Sequence, residues 1–321
     1  MLASIPSPSD GVLHLGPLDI HAYGLMIALG VVAAVWLAGR RMEAAGVGTR
    51  DDMSSIAVWA VSAGVLGARL YYIVTDKSLP WKHPDRWIKV WEGGLGIPGG
   101  LLAGIVVAMI VAERRGVSPG GLFTAAAPAV PLAQAIGRIG NWWNQELYGR
   151  PTTLPWGLEI DDQHLPSSGE YPSGTLFHPT FLYEALWNLG LMALLIVIGK
   201  RMKLRPGRLL VIYVLGYAIG RFWIEGLRID SANAAGGWRL NQWVSVAAAA
   251  GALLFLFIDR SRHRNDVAVD DEDDGSDDDR DVETPTDDET PTDAEAIDFA
   301  DDDPLADESA AAGSDYVAGD E

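Results

Sequence analysis

The 321-residue chain contains no cysteine. That excludes disulfide frameworks, thiolate metal sites and a covalent cysteine nucleophile of the protein's own. Positive charge is also scarce, with 24 Lys plus Arg against 43 Asp plus Glu and a net charge of -19. The deficit is local. Residues 266–321 hold 25 acids and one base, Arg280, so the first 265 residues carry a net +5. An acidic, apolar-poor tail conceals a basic and very apolar body, and the overall charge says nothing about what the body binds. No nucleic-acid partner is implied. The HExxH and GxxxxGK[ST] patterns are missing too, which removes the usual markers of zincins and P-loop proteins. No metal site and no cofactor is indicated. Residues 1–17 have no Lys or Arg, so they lack the charged start of a cleavable signal peptide, and the first apolar stretch is expected to stay.

What is present is apolar length. One helical crossing of a bilayer needs about 20 largely apolar residues. Segments 20–39, 93–112, 116–137 and 240–258 contain no Asp, Glu, Lys or Arg. Three more are long enough but hold charges near their ends: 53–75 with Arg69, 178–199 with Glu184, and 207–227 with Arg221 and Glu225 near one end and Arg208 at the other. The segments are apolar on nearly all faces, unlike the amphipathic helices of a soluble bundle. The expected fold is therefore all-α and polytopic, with seven membrane helices in a domain over 1–265. With the N-terminus outside, 13 of the 24 bases fall in cytoplasmic segments, among them Arg40, Arg41, Arg114, Arg115, Lys200 and Arg201. The positive-inside rule favours that orientation and a cytoplasmic tail. Lys77, Lys82, Arg86 and Lys89 fall outside and weaken the margin.

The tail 266–321, with ETPTD at 283–287 and again at 289–293, has too little apolar surface to offset its ordering entropy and is expected to be disordered. The segment from about Arg138 to Phe177, rich in Pro, Gly and Trp, is expected to form a small extramembrane or interfacial cap.

Ionisable residues at membrane depth point into protein or a polar cavity and are functional candidates by default. They cluster at outer helix ends. The densest run is Gly137 to Arg150, where Arg138, Asn141, Asn144, Glu146 and Arg150 stand among Trp142, Trp143 and Tyr148, and Gly137, Gly140 and Gly149 let the chain turn closely. A guanidinium fork there can take a phosphate while Asn and Glu fix its geometry, and a structural Arg–Glu pair is the competing reading. His178 to Glu184 opens the fifth expected helix, with Tyr183 and Glu184 one to two turns inside. Arg221, Glu225 and Arg228 recur at i, i+4 and i+7, so a mutual ion pair is available. Gly94 to Gly99 formally spells GxGxxG, but the helix that follows is uncharged and no βα unit follows it, so the dinucleotide reading is rejected. Gly93-Gly94 and Gly99-Gly100 instead suit close helix approach, or exposed N–H groups that meet an anion.

Taken together, these motifs resemble those of the prolipoprotein diacylglyceryl transferase family, over roughly residues 10–258. Gly137 to Gly149 meets its G-R-x-G-N-aromatic-x-N-x-E-x-x-G signature. His21-Ala22-Tyr23-Gly24 is similar to its H-x-Y-G element, His178 to Glu184 to its HP-x-x-LYE element, and Gly220 to Glu225 to its G-R-F-x-x-E element. The resemblance implies a multi-pass enzyme of the bacterial cytoplasmic membrane that starts lipoprotein maturation. Such an enzyme moves the sn-1,2-diacylglyceryl group of phosphatidylglycerol to the lipobox cysteine of a prolipoprotein signal peptide and releases glycerol 1-phosphate. The nucleophile comes from the substrate, so the enzyme needs no cysteine.

By the same resemblance Arg138, Arg221, Glu146 and Tyr23 are expected to be catalytic. Arg138, Asn141, Gly149, His21, Glu225, Arg228, Tyr183, Glu184, Gly99 and Gly100 are expected to bind substrate. Arg138 and Arg221 would hold the phosphate, Asn141 and Glu146 would position the headgroup or an arginine, and Glu225 would orient Arg221. Pro98 stands where many members have a histidine proposed as the base, and Ala22 where an aromatic is common. Proline accepts no proton, so Glu146, His21 and His178 are the candidate acceptors, or the local positive field ionises the thiol. Both histidines also suit packed structural roles. Two other classes remain open: a phospholipid flippase with an arginine-lined headgroup cavity, against which no internal repeat is found, and a noncatalytic chaperone, which would tolerate loss of Arg138 or Arg221.

Overall fold

A computed structural model describes residues 4–15, 18–75, 87–89, 93–166, 169–230 and 234–273. The expectations for Lys77, Lys82, Arg86 and most of the tail lie outside these residues. The chain divides at Ala268/Val269, and of the second unit only 269–273, the last residues of a helix, are described.

The first unit is helical. Its helices are α1 (Ala22–Ala44), α2 (Arg50–Thr75), α3 (Ile97–Arg114), α4 (Pro119–Ala126), α5 (Ala129–Trp143), α6 (Thr180–Arg201), α7 (Arg208–Glu225) and α8 (Leu240–Asp273), whose last five residues belong to the second unit. Among the described residues there are three two-stranded antiparallel sheets: β1 (Val12–Leu15) with β2 (Leu18–His21) before α1, β3 (Leu158–Glu159) with β4 (Leu176–Phe177) between α5 and α6, and β5 (Ala234–Ala235) with β6 (Trp238–Arg239) between α7 and α8.

Among the described residues, α1, α2, α3, α6 and α8 as far as Arg260 are long and apolar enough to cross a membrane, and α4 with α5 makes a sixth if the bent pair is one span. Val32, Val58, Leu66, Leu101, Leu186 and Phe257 are exposed on five of these helices. So much apolar surface on every side needs lipid around it. The remaining expected span, 207–227, forms as α7 over 18 residues but carries Arg208, Arg221 and Glu225.

The expected single helix over 116–137 is broken. α4 and α5 meet at 43°, because Pro128 has no N–H to continue the ladder and its ring crowds the preceding turn. Past the break α5 runs to Trp143, so Arg138 and Asn141 stand one turn apart on a helix rather than in the cap loop.

Small residues set the packing. A Cβ on Gly67 would lie 2.6 Å from the Gly99 carbonyl, and one on Gly99 would lie 2.4 Å from the Gly67 carbonyl, so α2 and α3 touch backbone to backbone. Gly30 sets α1 on α5 in the same way, with its Cβ position 2.9 Å from the Ala133 carbonyl. Between the helices Met42, Met53, Ile56 and Leu122 form one core cluster, and Leu191, Leu195, Leu209 and Tyr213 another.

The cap, residues 144–179, has its own core of Tyr148, Leu158, Ile160 and Phe177. Residues 4–8 run along it. The Ile5 amide donates to the Gly157 carbonyl at 2.8 Å, and Gln145 Nε2 donates to the Pro8 carbonyl at 2.8 Å. Because successive spans reverse direction, the start of α1, the end of α5, the start of α6, the end of α7 and the start of α8 meet at the cap.

Candidate active site

Arg138 and Arg221 come from different helices and converge on one carboxylate. Arg138 leaves the last turns of α5, and its Nε lies 2.7 Å from Glu184 Oε2 on α6. Arg221 leaves the last turns of α7, with Nη1 3.3 Å from Glu184 Oε1. The Glu184 side chain is only 5% exposed, so it serves both guanidinium groups away from bulk water, where such pairs are strong.

Each arginine has a second anchor. Arg138 Nη1 donates to Asn141 Oδ1 at 3.2 Å, and Asn141 Nδ2 donates to Glu146 Oε1 at 2.8 Å. Asn144 Nδ2 adds a bond to the same oxygen at 3.3 Å. Glu146 thus stands one asparagine away from Arg138. Its neighbours Gln145 and Leu147 have φ of 51° and 60°, a conformation side chains adopt at a cost that clusters at functional sites. On the other arm Arg221 Nη2 lies 2.9 Å from Glu225 Oε2, the i, i+4 pair that the spacing makes available.

Glu225, fully buried, extends the network with Arg228 Nη1 at 3.5 Å and Arg239 Nε at 2.8 Å. Asp230 closes it, with Oδ1 2.8 Å from Arg228 Nε and Oδ2 2.8 Å from Arg239 Nη2. Burial alone would push the Asp230 carboxyl up, but the hydrogen bonds and charges of Arg228 and Arg239 outweigh it and hold its pKa below the ordinary value. In direct ion pairs four arginines here face three carboxylates, with Glu146 set back behind Asn141. The excess positive charge favours an anion.

Gly220 and Gly149 are glycines for steric reasons. A Cβ on Gly220 would lie 2.1 Å from Trp187 Nε1, so the indole lies flat on α7 beside Arg221 and donates to the Gly216 carbonyl at 3.0 Å. A Cβ on Gly149 would lie 2.8 Å from His178 Cβ, where the cap strand bridges to Arg228. Tyr23 packs on α5, 2.6 Å from where a Gly140 Cβ would be, and is 36% exposed. The Tyr183 hydroxyl lies 3.1 Å from both His178 Nδ1 and Trp156 Nε1. Burial, then the charge of Arg150, lowers the His178 pKa.

His21 and Glu146 line one cavity of about 280 Å³, together with Asn144 and His164. A larger cavity of about 700 Å³ opens on the cap side of Glu146 and reaches Tyr148, Tyr171 and Asp230. Gly99 and Gly100 sit elsewhere in the fold, in the α2–α3 contact, where the close-approach reading of the glycine pairs applies. Residues 116–120, Gly-Val-Ser-Pro-Gly, spell the GxSxG pattern of serine hydrolases. Ser118 is nevertheless a helix cap, its Oγ accepting from the Gly121 amide at 3.2 Å, with no strand before it to make a nucleophile elbow. Arg239 and its link to Glu225 belong to no motif, and the sequence signal for them is a basic residue at the start of the last span.

These features define a multi-pass helical membrane protein with a buried, anion-seeking arginine centre under a cap. The profile of the prolipoprotein diacylglyceryl transferase family matches residues 10–258, and the chain belongs to that family. Phosphatidylglycerol-prolipoprotein diacylglyceryl transferase 2 of Streptomyces coelicolor is 49% identical over 269 residues, covering 82% of this chain and 83% of that protein. The Cutibacterium acnes phosphatidylglycerol-prolipoprotein diacylglyceryl transferase is 44% identical over 263 residues, covering 81% and 88% respectively. That of Mycobacteroides abscessus is 45% identical over 271 residues, covering 80% and 79%.

Proposed function

We propose that this protein transfers the sn-1,2-diacylglyceryl group of phosphatidylglycerol to the lipobox cysteine thiol of prolipoproteins. The observation that carries the reading is the convergence of Arg138 and Arg221 on the buried Glu184, in a chain of this family. In the reaction the substrate sulfur attacks the sn-3 carbon of the diacylglyceryl group. The C–S bond forms as the C–O bond to phosphate breaks, and glycerol 1-phosphate leaves with the bond's electrons. The site must therefore bind a phosphodiester, stabilise the charge that grows on the departing phosphate, and accept the thiol proton.

Arg138 and Arg221 suit the first two tasks. Arg138 uses Nε on Glu184 and Nη1 on Asn141, so Nη2 remains to meet a phosphate oxygen. Glu184 keeps both guanidinium groups in one place before the lipid arrives, so the site needs little reorganisation during the step. Asn141, Glu146 and Glu225 orient the two arginines, Tyr23 offers a hydroxyl towards the headgroup, and Tyr183 braces His178 and Trp156 beside it. Pro98 cannot take the proton. His21 and Glu146 share the small cavity and are the acceptors we favour over His178, whose Nδ1 is engaged with Tyr183. The excess of positive charge also lowers the pKa of an incoming thiol. We further place the cap outside a bacterial cytoplasmic membrane and the tail in the cytoplasm, on the distribution of basic residues.

The test uses purified protein in phosphatidylglycerol vesicles with a lipobox peptide, reading release of glycerol phosphate. Release that depends on the peptide, and that a Cys-to-Ser peptide does not support, is expected. Release that ignores the thiol would mean lipid hydrolysis instead.

A further inference from the structure

Resting on that transferase reading, we infer that Arg239 is a positioning residue: by dividing the charge of Glu225, it keeps Arg221 available to the leaving phosphate. The inference begins with a hairpin. β5 and β6 pair Ala234 with Arg239 and Ala235 with Trp238. The turn between them is Gly236-Gly237, with φ of 60° and 82°, the left-handed pair that a two-residue hairpin requires. Arg239 is therefore set in register before α8 begins.

All three of its side-chain nitrogens are committed. Nε donates to Glu225 Oε1 at 2.8 Å, Nη1 to the Arg228 carbonyl at 3.0 Å, and Nη2 to Asp230 Oδ2 at 2.8 Å. Glu225 is in turn divided between its two oxygens. Oε2 faces Arg221 at 2.9 Å and Arg228 at 3.5 Å, while Oε1 takes Arg239 and, at 3.2 Å, Asn241 Nδ2.

Left alone, an i, i+4 pair of Arg221 and Glu225 would be a closed, mutually neutralised unit with little attraction for a phosphate. Arg239 prevents this in two ways. It pins Oε1, which fixes the plane of the carboxylate and so the direction in which Arg221 is pulled. It also takes up negative charge that would otherwise fall on Arg221 alone. Glu225 is 0% exposed, so water cannot replace the missing partner. Without Arg239, Oε1 keeps only a neutral amide donor, and the carboxylate turns towards Arg221 and Arg228. Arg221 is then drawn from Glu184, away from its position beside Arg138. The consequence falls on the leaving phosphate more than on ground-state lipid, because the charge that Arg221 must meet grows as the C–O bond breaks.

If Arg239 merely tied α8 to α7, its loss would lower the melting temperature and spare turnover by the protein that remains folded. The experiment therefore separates kcat from KM in the full chain, with phosphatidylglycerol vesicles and a lipobox peptide. Arg239→Gln is expected to lower kcat about tenfold to a hundredfold, with KM for phosphatidylglycerol changed by less than about threefold. Arg239→Lys, which keeps the charge and a donor, is expected to recover most of that loss, and Arg239→Met takes the place of Arg239→Gln if the latter does not fold. In an Arg221→Lys background, Arg239→Gln is expected to cost less than about threefold further, since both changes act on the same guanidinium. Wild-type kcat in folded Arg239→Gln, or a loss that adds in full to that of Arg221→Lys, would overturn the inference. Wild-type protein that forms no thioether would instead overturn the transferase reading, and the inference with it.

Discussion

At the scale of single residues, the site works by sharing carboxylates between arginines. Glu184 holds Arg138 and Arg221 together, and its removal leaves two cations facing each other in a place with little water. Glu184→Gln is expected to cost about 3 kcal/mol of stability, the usual scale for breaking a buried pair, and to lower the melting temperature in detergent. An unchanged melting temperature would mean that the two arginines relax apart freely. His178 offers a pH test. Burial and Arg150 lower its pKa from 6.5, so the unfolded chain takes up the proton first. The imidazole then contributes stability above the unfolded value, and the contribution is lost as pH falls through the lower folded value. His14, raised by Asp19 and then Asp10, acts in the opposite direction, so the comparison is made against His178→Gln. The melting temperature of wild type should fall more than that of the variant between about pH 7 and pH 5. Parallel curves would show that His178 takes up its proton equally readily in the folded and unfolded chain, against the lowering by burial and Arg150. Of this arrangement, the candidate arginines and acids were legible because charge in an apolar segment stands out. Their pairing was legible only within α7, where Arg221 and Glu225 are four apart. Glu184 and Arg221 meet across 37 positions, a distance at which periodicity carries no information.

At the scale of elements, uncharged length was enough to find the helices and not enough to find their ends or bends. The run over 116–137 reads as one span, yet Pro128 breaks it. Segment 93–112 contracts to a helix beginning at Ile97, because Gly93 and Gly94 take φ of 85° and 70°. Both breaks involve residues with known backbone preferences, but hydropathy alone does not weigh them. The reach of α5 to Trp143 was not legible at all, since Arg138, Asn141 and Asn144 look like the start of a loop until Glu184 and Glu146 are there to receive them. Glycine pairs support the element scale directly. Gly99→Ala would set a Cβ 2.3 Å from Tyr71 Cβ and 2.4 Å from the Gly67 carbonyl. α2 and α3 must then separate, at an expected cost of about 2 kcal/mol, read as a lower melting temperature with KM for phosphatidylglycerol near wild type. Loss of lipid binding at unchanged stability would instead support the anion-binding reading of that glycine pair.

At the scale of the whole molecule, charge and apolar surface are segregated along the chain. The body exposes Leu, Val, Ile and Trp on its helices, while the network of arginines and carboxylates gathers where α1, α5, α6, α7 and α8 meet the cap. This segregation made the membrane class legible from composition alone, once the tail was counted separately from the body. A chain without cysteine is convenient for testing orientation. Asp162→Cys in the cap should react with a membrane-impermeant maleimide added to intact spheroplasts, and Lys203→Cys, between α6 and α7, should react only after lysis. The reverse pattern would invert the orientation we propose. The central claim is the chemistry at Arg138, and it is tested most directly on the product. Purified protein is given phosphatidylglycerol and a lipobox peptide, and the peptide is weighed by mass spectrometry, with Arg138→Ala alongside. The account predicts a diacylglyceryl thioether on the cysteine with wild type, and a rate at least about a hundredfold lower with the folded variant. A full yield of adduct from Arg138→Ala, or none from folded wild-type protein that binds phosphatidylglycerol, would contradict it.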